Sequence, residues 1–152
     1  MRRPNLFILA AWTCHLISWF LSTANAPDFH VIVPGWKAFR LAACGLWPCK
    51  GIEFQGMIFA VLAATSVITT LFFILCSPWA VLRGTRTVQK SLAWFASAAF
   101  VFNSHWIVMF WAQGALLMTG YFLWWLSFLL LAIGLFRTLK VEKKELLQPS
   151  VA

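Results

Sequence analysis

Four long apolar runs, separated by short polar or basic stretches, organise this 152-residue chain. The first spans about Asn5 to Thr23, the second Gly56 to Ser77, the third Ser91 to Ala112 and the fourth Ala115 to Phe136. One hydrocarbon crossing takes about 20 mostly apolar helical residues at roughly 1.5 Å each. The stretch between Lys90 and Arg137 is too long for one span and suits two, with only Gln113 and Gly114 between them. The pattern therefore predicts four transmembrane helices over 5–23, 56–77, 91–112 and 115–136. It also predicts an outer loop over 24–55 and an inner loop over 78–90, beginning at Pro78 and Trp79. A tail over 137–152 starts as a helical extension of the fourth crossing. There is no internal repeat and no stretch resembling a separate soluble domain.

Composition supports the membrane assignment. Hydrophobic residues make up 62% of the chain, aromatic residues 17% and charged residues 11%, against roughly 25% charged in a soluble domain. A net charge of +8 could suit nucleic acid, but the cations sit where they orient a membrane protein. Arg2 and Arg3 precede the first run; Arg83, Arg86 and Lys90 separate the second and third; Arg137, Lys140, Lys143 and Lys144 follow the fourth. That side holds nine cations and the other three, Lys37, Arg40 and Lys50. The positive-inside bias predicts cytoplasmic termini. The expected fold class is an all-α membrane protein: a four-transmembrane-helix bundle with one short extracytoplasmic amphipathic segment, in a bacterial inner membrane or its eukaryotic equivalent. No soluble segment combines a basic stripe with interleaved aromatics, so membrane lipid is expected as a partner and nucleic acid is not.

Residues 1–26 imitate a secretory signal, with Arg2 and Arg3, an apolar stretch and a small-x-small Ala24-Asn25-Ala26. Pro27 would follow the scissile bond, and the apolar stretch exceeds the roughly 7–15 residues of a signal core. The expectation is a retained first crossing.

In the outer segment Trp36, Phe39, Ala43 and Leu46 or Trp47 recur near helical spacing, with Lys37 and Arg40 interspersed. This predicts a short amphipathic helix bounded by Pro34 and Gly35 before and Pro48 after, lying on the outer surface or capping the bundle. Cys44 and Cys49 enclose Gly45-Leu46-Trp47-Pro48, whose glycine and proline let the chain bend until the sulfurs meet. A structural disulfide is the first expectation. A redox pair would have two-residue spacing, and zinc would need further ligands. Cys14 and Cys76 read as buried small apolar residues within crossings. The string Gly45-Leu46-Trp47-Pro48-Cys49, with Trp36 upstream, resembles the claudin and peripheral-myelin class over about 15 residues. The predicted four spans and cytoplasmic termini are part of that likeness, which implies an interaction role. Here one cysteine precedes the string where that class places its second after it, and the second outer loop is nearly absent.

Gly56, Ala60 and Ala64 form a small-residue stripe on the second crossing, suited to bundle packing or to a homo-oligomeric or partner interface. Thr65, Ser66, Thr69 and Thr70 lie beside it, able to bond preceding carbonyls or another helix. Trp79, Trp94, Trp36, Trp47 and Trp111 fall near the boundaries, as amphipathic rings prefer. Trp12, Trp106, Trp124 and Trp125 lie deeper and either fill the bundle, face lipid or line a pocket for an apolar ligand. His15 and His105 lie roughly 18 and 22 Å from the cytoplasmic ends. At such matched depth they could ligate a b-type haem from both sides, or serve as structural histidines, with Asn103, Ser104 and Gln113 near His105. No Asp or Glu falls within a crossing, and no phosphate-cradling glycine motif appears. Catalysis is therefore not expected, nor any cofactor apart from the haem alternative. The expected function is a membrane protein acting through protein contacts, as an accessory subunit, assembly factor or exclusion or immunity protein, or by self-association. Its contact residues would be Gly56, Ala60, Ala64, Trp36 and Trp47. The alternative is a small redox or ligand-binding membrane protein built on His15 and His105.

Overall fold

A computed structural model describes residues 5–26, 31–47, 49–51, 56–112 and 116–147, without the side chains of 26, 31 and 142–147. Three helical stretches, Met57–Arg83, Arg86–Ala112 and Thr119–Val141, are long and apolar enough to cross a membrane. The first, α3 (Met57–Arg83), continues through Pro78. Proline removes one backbone donor, a loss a membrane helix tolerates when neighbours compensate. The inner loop expected over 78–90 is thus mostly helix. Only Gly84 and Thr85 link α3 to α4 (Arg86–Asn103), where the Thr85 hydroxyl caps by accepting from the Val88 N–H at 3.4 Å.

The third predicted crossing is divided. α4 ends at Asn103, Ser104 forms a turn, and α5 (His105–Ala112) resumes. Side chains capture the carbonyls at the break: Phe100 O accepts from Trp125 Nε1 at 2.8 Å, Val101 O from Ser104 Oγ at 2.5 Å, Phe102 O from His105 Nδ1 at 2.7 Å and Asn103 O from the Tyr121 hydroxyl at 2.7 Å. α6 (Thr119–Leu147) includes the helical extension expected of the tail. The predicted turn at Gln113 and Gly114 lies outside the described residues.

The first crossing differs most from expectation. α1 (Leu6–Ser18) has 13 residues, roughly 20 Å of helix, which is shorter than a hydrocarbon core of about 30 Å. Beyond it Ser22–Ala26 is extended as β1, so a small sheet joins a fold expected to be all-α. β1 pairs antiparallel with β2 (Val31–Pro34) on one side and β3 (Leu116–Leu117) on the other. The chain turns because its carbonyls are claimed from elsewhere. Trp19 O accepts from the Trp36 N–H at 3.0 Å, and Leu21 O from the Gly35 N–H at 2.9 Å. These donors open α2 (Gly35–Ala43), which starts after Pro34 as the sequence predicts and is the most amphipathic helix of the chain. A Cβ on Gly35 would stand 2.1 Å from Ser18 O, so only glycine permits this approach.

The helices form one bundle, with α6 packed along α1 and α4. At one end Asn5 caps α1, its side-chain oxygen accepting from the Ile8 N–H at 3.1 Å while Nδ2 donates to Gly134 O at 2.7 Å. Arg137 stacks over Phe7 at the same end. The basic 83–90 segment joins them there, since Trp94 meets Phe136 edge to face. The apolar core includes Ile8, Ala11, Ala93, Ala96, Leu131 and Leu135. The sheet and α2 form a cap at the opposite end.

Candidate functional site

A cavity of about 500 Å³ lies between the cap and the helices, within the range of roughly 300–1,000 Å³ typical of small-molecule pockets. α2 roofs it with Ala38, Phe39, Leu41 and Ala42. α3 supplies Ala63, Ser66, Val67 and Thr70, and Trp106, Tyr121 and Trp124 complete the deep side. Most of the lining is apolar, and four polar side chains of its deep wall are bonded to one another. Trp106 Nε1 donates to Ser66 Oγ at 2.9 Å and Trp124 Nε1 to Thr70 Oγ1 at 3.0 Å. The Thr70 hydroxyl donates to Ser66 O at 2.8 Å.

Behind this wall Asn103 is fully buried. Its side-chain oxygen accepts from the Ser66 hydroxyl at 2.7 Å, and its Nδ2 donates to Ala99 O at 2.8 Å and Thr69 Oγ1 at 3.2 Å. In an apolar setting an unmet polar group is costly, so this closed network lets hydroxyls and indoles line a cavity without requiring water. The sequence marked Ser66, Thr69 and Thr70 as able to bond across helices, and they do. Asn103 was assigned there only to His105. Its network role shows in the four-residue spacing of Ser66 and Thr70 on α3, which turns both hydroxyls toward one face.

The tryptophans divide by location. Trp36, Trp47, Trp79, Trp94 and Trp111 are exposed. Trp12, Trp106, Trp124 and Trp125 are half-buried, and each indole N–H has an acceptor; that of Trp12 is Ser77 Oγ at 2.9 Å. Trp106 and Trp124 line the cavity, whereas the other two do not.

The histidines have separate surroundings. The Ser127 hydroxyl donates to Trp124 O at 2.6 Å, so at the 3.0 Å contact His15 Nδ1 is the donor to Ser127 Oγ. Phe102 O is an acceptor only, so His105 Nδ1 also carries its proton. In both rings Nε2 is a buried nitrogen without a hydrogen-bond partner among the described residues. A fixed Nδ1–H with a bare Nε2 is the orientation that ligating histidines adopt. The two rings have different neighbours. His15 stacks on Phe73 at 4.1 Å, His105 leans on Trp106 at 4.6 Å, and neither lines the cavity. Their neighbours on α3, Phe73 and the Ser66 that Trp106 reaches, lie roughly 10 Å apart along the axis. Among the described residues no three His, Cys, Asp or Glu side chains gather as a metal site.

Cys44 and Cys49 form the expected disulfide. Cys14 and Cys76 are free and half-buried rather than buried. Two residues of the small-residue stripe have a contact within the chain. A Cβ on Gly45 would lie 2.5 Å from Ala60 O and 3.1 Å from Ala64 N, so the disulfide loop is seated on those two residues, while Gly56 is exposed with φ 104° at the start of α3. Trp36 and Trp47 remain exposed on the cap.

Comparison with protein-family models, with curated proteins and with solved structures finds no match.

Proposed function

We propose that the protein is a non-catalytic multi-span membrane protein that holds one apolar, lipid-like molecule beneath its cap. The observation that carries this reading is the cavity of about 500 Å³, whose lining is mostly apolar and whose deep-wall Ser66, Thr70, Trp106 and Trp124 are bonded within the protein, which favours an apolar occupant over a hydrated one. The positive bias orients the bundle, with its termini and the 83–90 segment in the cytoplasm and the cap outside the cell membrane. α1, with roughly 20 Å of helix, runs from the basic end toward the cap, and the turn at 19–21 leads the chain into β1 of the cap. Native mass spectrometry after gentle extraction tests the reading. The expected result is a monomer mass with one retained lipid-sized adduct, lost in Ala63→Trp, which fills the cavity. Wild-type protein without an adduct, after presentation of lipid vesicles, overturns it.

A protein partner is the second reading, favoured by the exposed Trp36 and Trp47. Its role would be that of an accessory subunit, assembly factor or exclusion protein. Stoichiometric co-purification of one membrane protein, abolished by Trp47→Ala, would support it; solitary recovery from native membranes would refute it.

A further inference from the structure

A second depression lies on the outer face of the roof helix, a cleft of about 390 Å³ lined by Trp36, Lys37, Arg40, Leu41, Lys50 and the Cys44–Cys49 pair. It brings together all three cations of this side of the chain. None of them forms an ion pair among the described residues, and the acids at 28, 53, 142 and 145 have no described side chains. The disulfide draws Lys50 back toward the α2 cations, because Cys49 is bonded to Cys44 one turn beyond Arg40.

Two facts fix the depth and direction of the cleft. Gly45, next to Cys44, is seated on Ala60 and Ala64 within the first two turns of the apolar helix α3. The cleft therefore stands at the level where that span begins, beside exposed tryptophans of the kind found among lipid headgroups. Leu41 lines both the cleft and the cavity, so the cationic face and the apolar interior adjoin at that residue.

We infer that the occupant is an anionic phospholipid of the outer leaflet, its phosphate held by Lys37, Arg40 and Lys50 and an acyl chain passing Leu41 into the cavity. This rests on the cavity reading above and adds to it the headgroup charge and the residues that select it. Charge complementarity favours a phosphate. The position at the start of a span favours a lipid over a soluble anion.

The test uses full-length protein stripped of lipid and incubated with vesicles of phosphatidylglycerol or of phosphatidylcholine with the same chains, followed by native mass spectrometry. Wild type is expected to retain phosphatidylglycerol at least about tenfold better, a preference that shrinks as salt rises. The triple variant K37Q/R40Q/K50Q is expected to retain both lipids equally, at the wild-type phosphatidylcholine level, which also reports that its cavity is still formed. Absence of preference in wild type, or its survival in the triple variant, overturns the headgroup assignment and leaves the cavity reading standing. Equal competition by glycerophosphate, which has no chains, also overturns it in favour of a soluble-anion site. Retention of neither lipid by wild type overturns the cavity reading itself.

Discussion

The two halves of the bundle solve the packing problem in different ways with the same helices. Toward the basic end, Ala93, Ala96 and Ala99 of α4 bring it close to α6, and Phe128, Leu131 and Leu135 fill the space, all of them buried. Toward the cap, indoles replace alanines. Trp106 and Trp124 are too bulky to interdigitate closely and are instead held off by hydroxyls on α3, leaving a cavity between them and the roof helix. α3 runs through both halves: Ala63, Ser66, Val67 and Thr70 face the cavity, while Phe73, Ala80 and Val81 belong to the core. Small residues in a membrane bundle give close approach; large residues with a polar atom give spacing. The difference makes one half a packed foundation and the other half a container.

The largest effect distinguishing the halves should come from truncation. Leu131→Ala, at the packed end, is expected to cost about 2–5 kcal/mol, because the removed methyl groups leave an enclosed void. Val67→Ala, equally buried but on the cavity wall, only enlarges space that already exists and is expected to cost about 1 kcal/mol. Reversible unfolding in mixed micelles measures both, and equal costs would mean that the cavity is not open space. Enlargement gives the reverse test, with a smaller effect. Ala96→Phe should cost about 1–3 kcal/mol by overpacking, whereas Ala63→Phe should be close to neutral since its ring enters the cavity. Thermal shifts of the two purified variants decide it.

Much of the foundation and part of the container were legible in the sequence. The three long helices follow from the length of their apolar runs, and Pro34, Gly35 and the cysteine spacing locate α2 and its disulfide. What sequence could not show depends on residues far apart in the chain. Ser22–Ala26 reads Ser-Thr-Ala-Asn-Ala, with little strand propensity; it is extended because β2 and β3 pair with it from both sides. The α4–α5 break arises where Tyr121 and Trp125, 18 and 25 residues away from the carbonyls they bind, take acceptors that a continuous helix would use. The depths of His15 and His105 follow from counting along straight helices, which does not show that their rings sit against different neighbours, Phe73 and Trp106. The cavity itself has no local signature, since it is what remains when a cap docks over a wall of indoles.

The smallest expected effect distinguishes the halves most finely, through two indole–hydroxyl pairs of the same kind. Trp12 Nε1 donates to Ser77 Oγ at 2.9 Å, where Ser77 is fully buried in the packed half; Trp124 Nε1 donates to Thr70 Oγ1 at 3.0 Å on the cavity wall. A polar group that loses its partner is costly only where nothing else can reach it. Removing the Trp12 indole nitrogen with Trp12→Phe strands Ser77 among close-packed neighbours. Trp124→Phe leaves Thr70 facing a space that a water molecule can enter in place of the indole nitrogen. Interhelical hydrogen bonds in membranes have coupling energies averaging about 0.6 kcal/mol with a ceiling near about 1.7. Double-mutant cycles pairing Trp12→Phe with Ser77→Ala and Trp124→Phe with Thr70→Val should place the first pair toward that ceiling and the second at or below the average. The reverse order would mean that the wall of the container is as inaccessible as the foundation, and that the cavity opens to neither water nor lipid.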